Sequence, residues 1–179
     1  DPNKTIFTDL QVLEFLDNTE KSDSIEKDLE SAFDLFNLYV STYQERYDTQ
    51  LNFLNLIREE NLKDTGKLRR DLSDAERLNN QKELRDLWVD LSTNDVIQLM
   101  LSGNTLEESV SKTKKRMSNQ LNYFSQTRNE DVFNIFVNSI AAVYGPHTAY
   151  MSPKNSEDFD INMSLSLEGI GALLSSDGL

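Results

Sequence analysis

The chain has no cysteine, one histidine (His147), three prolines and six glycines in 179 residues. Without cysteine there is no disulfide framework and no thiolate metal site, and the redox compartment leaves no mark on the sequence. A single histidine excludes, within this chain alone, a histidine-based triad or a facial metal triad. Positive charge is scarce as well: 18 Lys and Arg stand against 31 Asp and Glu, a formal charge of −13. That excess repels phosphate backbones and anionic lipid, so nucleic acid is not expected as a partner; the one basic cluster is Lys112, Lys114, Lys115 and Arg116. No apolar run approaches the roughly 18 to 20 residues of a membrane span, and Asp1-Pro2-Asn3-Lys4 does not open a signal peptide. The chain as given is expected to be soluble.

What is present supports a core. Leu, Ile, Val and Phe make up 50 of the 179 residues, above the roughly one fifth below which a highly charged chain is expected to stay disordered. The hydrophobic share of 37% is lean, which points to an elongated, surface-rich body of one domain plus a piece of another.

The pattern is helical from Thr8 onward. Thr8 and Gln11 have the spacing of a capping box, and Leu10, Val12, Leu13, Phe15 and Leu16 supply an apolar stripe. Asp23 with Glu26 opens a far longer helix, with apolar positions from Ile25 through Phe33, Phe36, Tyr43, Tyr47 and Leu54 to Ile57 at steps of three and four. Free of Gly and Pro, it could reach about 35 residues, on the order of 50 Å. Between Glu59 and Gln81 the apolar residues thin out, marking an exposed connection in which Ser73 and Glu76 could cap a helix. The next helix starts near Glu83, carries Leu84, Leu87, Trp88, Leu91, Val96, Ile97, Met100 and Leu101, and is closed by Gly103. Thr105 and Glu108 form another capping box ahead of Leu106, Val110, Met117, Leu121 and Phe124. Asn129 caps a last long helix with Val132, Phe133, Phe136, Val137, Ile140 and Tyr144 inward, stopped by Gly145-Pro146.

After Pro146 the pattern changes. Ser152-Pro153 offers an N-cap and an N1 proline for a short turn of helix, and Met163, Leu165 and Leu167 then alternate with Ser164, Ser166 and Glu168 at the strand period. This first β signal runs into Gly169-Ile170-Gly171-Ala172 and stops five residues beyond Leu174. One strand and part of a second cannot bury a sheet face alone, so the chain reads as cut inside a domain. Its apolar edge, 165–174, should be disordered, fold back on the helices or pair with the same segment of another chain.

A Gly-x-Gly turn lets successive backbone N–H groups converge on an anion such as a terminal carboxylate, but the tetrapeptide alone is more often a turn or bulge. No third spaced glycine and helix follow it, which excludes a dinucleotide-binding loop. His147, in Gly-Pro-His-Thr, reads as a loop residue bonding to backbone at an interdomain bend rather than as an acid or base. The aromatic series Phe33, Phe36, Tyr39, Tyr43 and Tyr47 reads as core rather than ligand slot, and the basic cluster as a solvated helix face. The acid pairs Glu59-Glu60, Glu107-Glu108 and Glu130-Asp131 sit at helix ends or exposed turns and offer no general acid/base pair.

Three stretches carry a resemblance: Asn129-Glu-Asp-Val-Phe133, Pro146-His-Thr-Ala-Tyr-Met-Ser-Pro-Lys-Asn155 and Met163-Ser-Leu-Ser-Leu-Glu-Gly-Ile-Gly-Ala172. Together with Asp1-Pro2, Phe36-Asn-Leu-Tyr-Val40, Gln44-Glu-Arg-Tyr47 and Glu83-Leu-Arg-Asp-Leu-Trp88, they resemble the tail-specific proteases, the carboxyl-terminal processing peptidases. Gly145 departs from that pattern, which has Asp before Pro-His-Thr. The resemblance implies a mainly α chain, with a helical N-terminal domain over 1–145, a connecting loop and short helix over 146–162, and the start of an incomplete PDZ domain over 163–179. It implies a periplasmic serine endopeptidase, associated with the inner membrane, that recognises apolar C-terminal tails of protein substrates and has an adaptor protein as a further partner. Gly169, Ile170, Gly171 and Ala172 would be the loop that receives the tail carboxylate. The Ser/Lys catalytic pair of the family lies downstream, so no catalytic residue, metal ligand or cofactor is assigned within this chain, and the fragment alone should be inactive. The rival reading is a non-enzymatic helical scaffold or adaptor.

Overall fold

Six α-helices and one short 3-10 turn account for the regular structure of the computed structural model, which describes residues 1, 4–62, 74–145 and 147–164. Among these residues every regular element is helical, as the mainly α reading requires. Residues 165–174 and the Gly169 to Ala172 loop lie outside them, as does Ser73. The chain divides into two units, Asp1–Val132 and Phe133–Leu179.

The first unit contains α1 (Asp9–Glu20), α2 (Ile25–Leu56), the 3-10 turn Glu59–Leu62, α3 (Gln81–Leu101) and α4 (Leu106–Ser125). Helices α2, α3 and α4 pack on one another as a three-helix bundle, and α1 lies on α2. The 32 residues of α2 span about 48 Å at 1.5 Å per residue and form the spine.

The bundle's buried seam follows rows spaced by four residues. On α3 the row is Leu84, Trp88, Ser92, Val96; on α4 it is Ser109, Thr113, Met117; on α2 the buried members are Thr42, Gln50 and Leu54. Residues four apart lie above one another along a helix and form the ridges with which helices pack. Four of these ten positions, Thr42, Ser92, Ser109 and Thr113, are small and polar. Ser92 Oγ donates to the Trp88 carbonyl at 3.1 Å and Thr113 Oγ1 to that of Ser109 at 2.9 Å, as the adjoining Thr93 Oγ1 does to that of Val89 at 2.9 Å, while the Ser109 hydroxyl is buried without a partner among the described residues. A hydroxyl that bonds its own helix can be buried at little cost, and its small size lets neighbouring helices approach. Leu54, Val96 and Met117 then form an apolar knot, flanked by Tyr47, Phe53, Ile57 and Met100.

The helix ends follow the capping chemistry closely, with three shifts. Thr8 and Thr105 each form a full capping box, with Gln11 and Glu108. The Thr105 N–H and hydroxyl bonding to Glu108 hold its carboxyl below the usual glutamate range. Helix α2 is capped by Ser24 rather than Asp23: the Ser24 oxygen accepts from Lys27 N–H at 3.4 Å. Helix α3 begins at Gln81, two residues ahead of Glu83, because Asn80 Oδ1 accepts from the Glu83 N–H at 3.0 Å. Asn129 is the first residue of α5 (Asn129–Tyr144) and not its cap; Val132 N–H bonds the Arg128 carbonyl, and Asp131 accepts from Arg128 N–H at 2.8 Å.

Gly103 ends α3 as expected, and for a specific reason. Its N–H reaches the Met100 carbonyl at 2.9 Å and that of Asn104 reaches Leu99 at 3.2 Å, a Schellman closure that puts Gly103 at φ +95°. A β-carbon there would meet nothing within 4 Å, so a side chain is opposed by backbone strain alone. Gly103→Ala is therefore expected to lower stability by about 1–2 kcal/mol in urea titrations, and Gly103→Asn by less. Equal stability of all three forms would refute this account.

Two apolar assignments do not hold. Leu10, Leu13 and Leu16 of α1 are exposed, Leu10 by 67%, while Val12 and Phe15 are partly covered, because α1 packs chiefly on α2 alone. In the second unit, Tyr144 is exposed at the last turn of α5, and Phe133 is only partly covered.

The second unit holds most of α5, and α6 (Pro153–Ser164). Ser152 and Pro153 start α6 as the sequence requires, with Ser156 N–H on the Ser152 carbonyl at 2.8 Å. The helix is longer than a short turn and takes in Met163 and Ser164, the first two residues of the expected strand. After Pro153 nothing in Lys154 to Ser164 breaks a helix, and Asn162 Nδ2 bonds the Asp158 carbonyl at 2.7 Å, so the helix continues through the start of the alternation.

Candidate functional site

Polar groups converge in three places, and two of them hold the fold. At the first, the Asp1 carboxylate accepts from the N–H groups of Thr5, Ile6 and Phe7 at 2.9, 3.2 and 3.1 Å and from Arg77 Nη1 at 2.9 Å. Lys4 Nζ donates to the Ala75 carbonyl, and Asp9 N–H reaches the Leu78 carbonyl at 2.9 Å. These bonds fasten the first residues to the segment that leads into α3. At the second, within the other unit, Asn138 receives Tyr150 N–H at 2.8 Å and donates to its carbonyl at 3.2 Å, while Phe133 stacks edge-on to the Tyr150 ring. That pairing closes the loop after α5, together with Thr148 N–H on the Gly145 carbonyl at 3.0 Å. His147 is exposed and makes no hydrogen bond among the described residues, so Asn138, not His147, ties the loop to backbone.

The third place is an open hollow of about 620 Å³ on the surface of the bundle. Its floor is aromatic. Tyr43 of α2 and Phe124 of α4 lie with ring centroids 4.3 Å apart, Tyr39 meets Phe124 edge-on at 5.6 Å, and Tyr123 meets it edge-on at 5.9 Å. Burial raises the phenol pKa values of Tyr39 and Tyr43, so both rings stay neutral donors well past physiological pH.

Its rim is basic and amide. Lys112, Lys115 and Arg116 fall on one face of α4, followed by Asn119 and Gln120. Tyr43 and Gln120 hydrogen bond side chain to side chain at 3.3 Å. Arg116 pairs with Asp95 of α3 and Lys112 with the neutral side chain of Asn104, whereas Lys115 makes no ion pair among the described residues. Arg46 lies over the Tyr43 ring, its guanidinium 5.9 Å from the centroid. Arg46 donates to the neutral acceptors Gln50 Oε1 and Thr5 Oγ1 at 3.3 and 3.2 Å. Burial lowers its pKa against the opposing pull of Tyr43, Tyr39 and Asp95, and a guanidinium stays charged at any working pH.

Of the basic cluster, Lys112, Lys115 and Arg116 are exposed as the sequence suggests and edge this cavity, whereas Lys114 is half-buried, turns away and donates to Asn55 Oδ1 of α2 at 2.7 Å. Of the aromatic series, Tyr47 joins the core while Tyr43 lines the hollow. The signal for it was the spacing of Lys112, Lys115, Arg116, Asn119 and Tyr123, which puts cations, an amide and a ring on one helix face. Among the described residues no group of His, Asp and Glu is arranged to hold a metal, and no helix is long and apolar enough to cross a membrane.

By its architecture this is an α-helical domain built on a three-helix bundle, followed by a second helical unit. The chain belongs to the family described as the tail specific protease N-terminal domain, which matches residues 1–154. Over 150 residues it is 31% identical to the tail-specific protease of Haemophilus influenzae, a stretch that covers 84% of this chain and 21% of that protein. The chain spans about a fifth of that relative's length.

Proposed function

We propose that this chain is the N-terminal helical part of a periplasmic serine endopeptidase, a part that frames the substrate path and positions a PDZ domain, with hydrolysis performed elsewhere in the protein. The reading rests on the family match across residues 1–154, supported by the 31% identity to a tail-specific protease. On it, residues 1–145 form the helical domain, 146–162 the connection and 163–179 the opening of the PDZ domain. Gly169, Ile170, Gly171 and Ala172 then receive the carboxylate of an apolar C-terminal tail on main-chain N–H groups. Protein substrates are the principal partners, with an adaptor protein beside them, and the nucleophile and its lysine base belong to the remainder of the protein.

The test uses two reporter proteins, one ending in five apolar residues and one ending in acidic residues. The full-length protein is expected to degrade the apolar-tailed reporter at least about tenfold faster, and the 179-residue chain to degrade neither. Cleavage that ignores the tail would overturn the recognition step. Turnover by the 179-residue chain alone would overturn the location of hydrolysis, and a full-length protein inert toward both reporters would favour the scaffold reading.

A further inference from the structure

We propose that the hollow between α2 and α4 is a binding site for an acidic peptide segment that carries an aromatic or large apolar residue beside its carboxylates. The inference goes beyond the protease reading, since it concerns the helical bundle and needs neither the Gly-x-Gly loop nor hydrolysis. Three observations lead to it.

The first is charge. In a chain of net −13, Lys112, Lys115 and Arg116 gather on one helix face and Arg46 lies over the Tyr43 ring. Asp95 answers Arg116 and also faces Arg46, and Glu108 lies one turn before Lys112, but Lys115 makes no ion pair among the described residues, so four cations meet two carboxylates. The hollow is therefore locally positive in an acidic protein. With screening over roughly 8 Å at physiological salt, a short ligand feels this patch more than the distant negative surface.

The second is the floor. Tyr43, Phe124 and Tyr123 offer ring faces and edges, and Tyr123 is 73% exposed. An exposed aromatic platform beside cations suits a side chain with an apolar body and a carboxylate close to it. The third is shape. About 620 Å³ falls within the range of ligand sites, but the hollow opens widely to solvent, as suits a peptide laid across it rather than an enclosed small molecule. Asn119 and Gln120 stand at its side with amide donors and acceptors for a peptide backbone. A nucleic acid strand would also find cations and rings here. Its phosphates, however, would run past the patch onto the acidic surface.

The experiment measures fluorescence anisotropy of a labelled twelve-residue peptide, with Asp and Glu flanking a central Phe, titrated with the 179-residue chain. Controls are the peptide with Asn and Gln in place of the acids, the peptide with Phe replaced by Ser, and labelled oligo-dT. Saturable binding is expected, weakened about tenfold or more by the amide peptide, by Lys115→Glu and by Tyr123→Ala, and several-fold by the Ser peptide. Lys82→Glu, on an exposed turn of α3 away from the hollow, makes the same change in net charge and should leave binding within twofold. Lys115 and Tyr123 are exposed, so these variants should keep the wild-type circular dichroism spectrum. Equal weakening by Lys82→Glu and Lys115→Glu would reduce the effect to bulk charge and overturn the proposal. So would indifference to the amide control, or oligo-dT binding tighter than the acidic peptide.

Discussion

Replacing Trp88 with alanine is expected to destabilise the first unit by about 3–5 kcal/mol, the loss typical of removing a fully buried large aromatic side chain. Trp88 has no exposed surface, and its indole N–H donates to the Thr5 carbonyl at 2.6 Å. Its own carbonyl accepts from Gln50 Nε2 of α2 at 3.0 Å and from Ser92 Oγ at 3.1 Å. One residue thus joins the N-terminal segment, the spine helix and α3. Truncation opens a cavity among them and leaves the Thr5 carbonyl without its donor. Trp88→Phe separates the two effects: it keeps most of the volume and loses only the indole donor, for about 1–2 kcal/mol. At roughly 2–4 °C per kcal/mol for a domain of this size, the alanine variant should melt on the order of 10 °C lower. Circular dichroism reads this, since Trp88 is the only tryptophan and its loss removes the fluorescence probe. If the two variants melted together, the cavity would have no weight and Trp88 would matter only through its hydrogen bond.

The same residue shows what sequence reasoning could reach. Leu84, Trp88 and Val96 stand out because they are large, apolar and four or eight apart, and they are buried as expected. Ser92, in the same row and just as buried, is invisible to a pattern that sorts residues into apolar and polar. Only the backbone it bonds, at Trp88, makes it a core residue. Thr113 and Ser109 escape notice for the same reason. The capping boxes at Thr8 and Thr105 and the stop at Gly103 were readable, since each depends on chemistry within a few residues. The outward turn of Leu10, Leu13 and Leu16 was not, because a helix's pattern gives its apolar positions and not how many neighbours will cover them. The hollow is half legible. Its cations and Tyr123 share one face of α4, but Tyr43 comes from a helix more than 65 residues earlier, and only packing brings it beside that face.

Arg77→Ala should be the second most costly change, at about 3 kcal/mol, although Arg77 precedes α3 and acts through polar contacts. The Asp1 side chain it meets is only 4% exposed and carries three backbone N–H bonds besides the guanidinium. Removing the cation leaves a carboxylate held by amides alone in a place water barely reaches, and breaking a buried pair from one side costs more than the pair contributes when intact. Arg77 also donates to the Phe7 and Asp1 carbonyls, both at 3.4 Å, so Arg77→Lys keeps the charge but not the fork and should fall between wild type and alanine. The decisive measurement is a double-mutant cycle with Asp1→Asn, read by urea unfolding. If Arg77 acts by answering the Asp1 charge, its loss should cost at least about 1 kcal/mol less in the Asn background. Strict additivity would mean that Arg77 works through its carbonyl contacts alone. The N-terminal segment would then be held chiefly by Trp88 on Thr5 and by Asp9 on Leu78, and Trp88→Phe would become the more damaging of the polar changes.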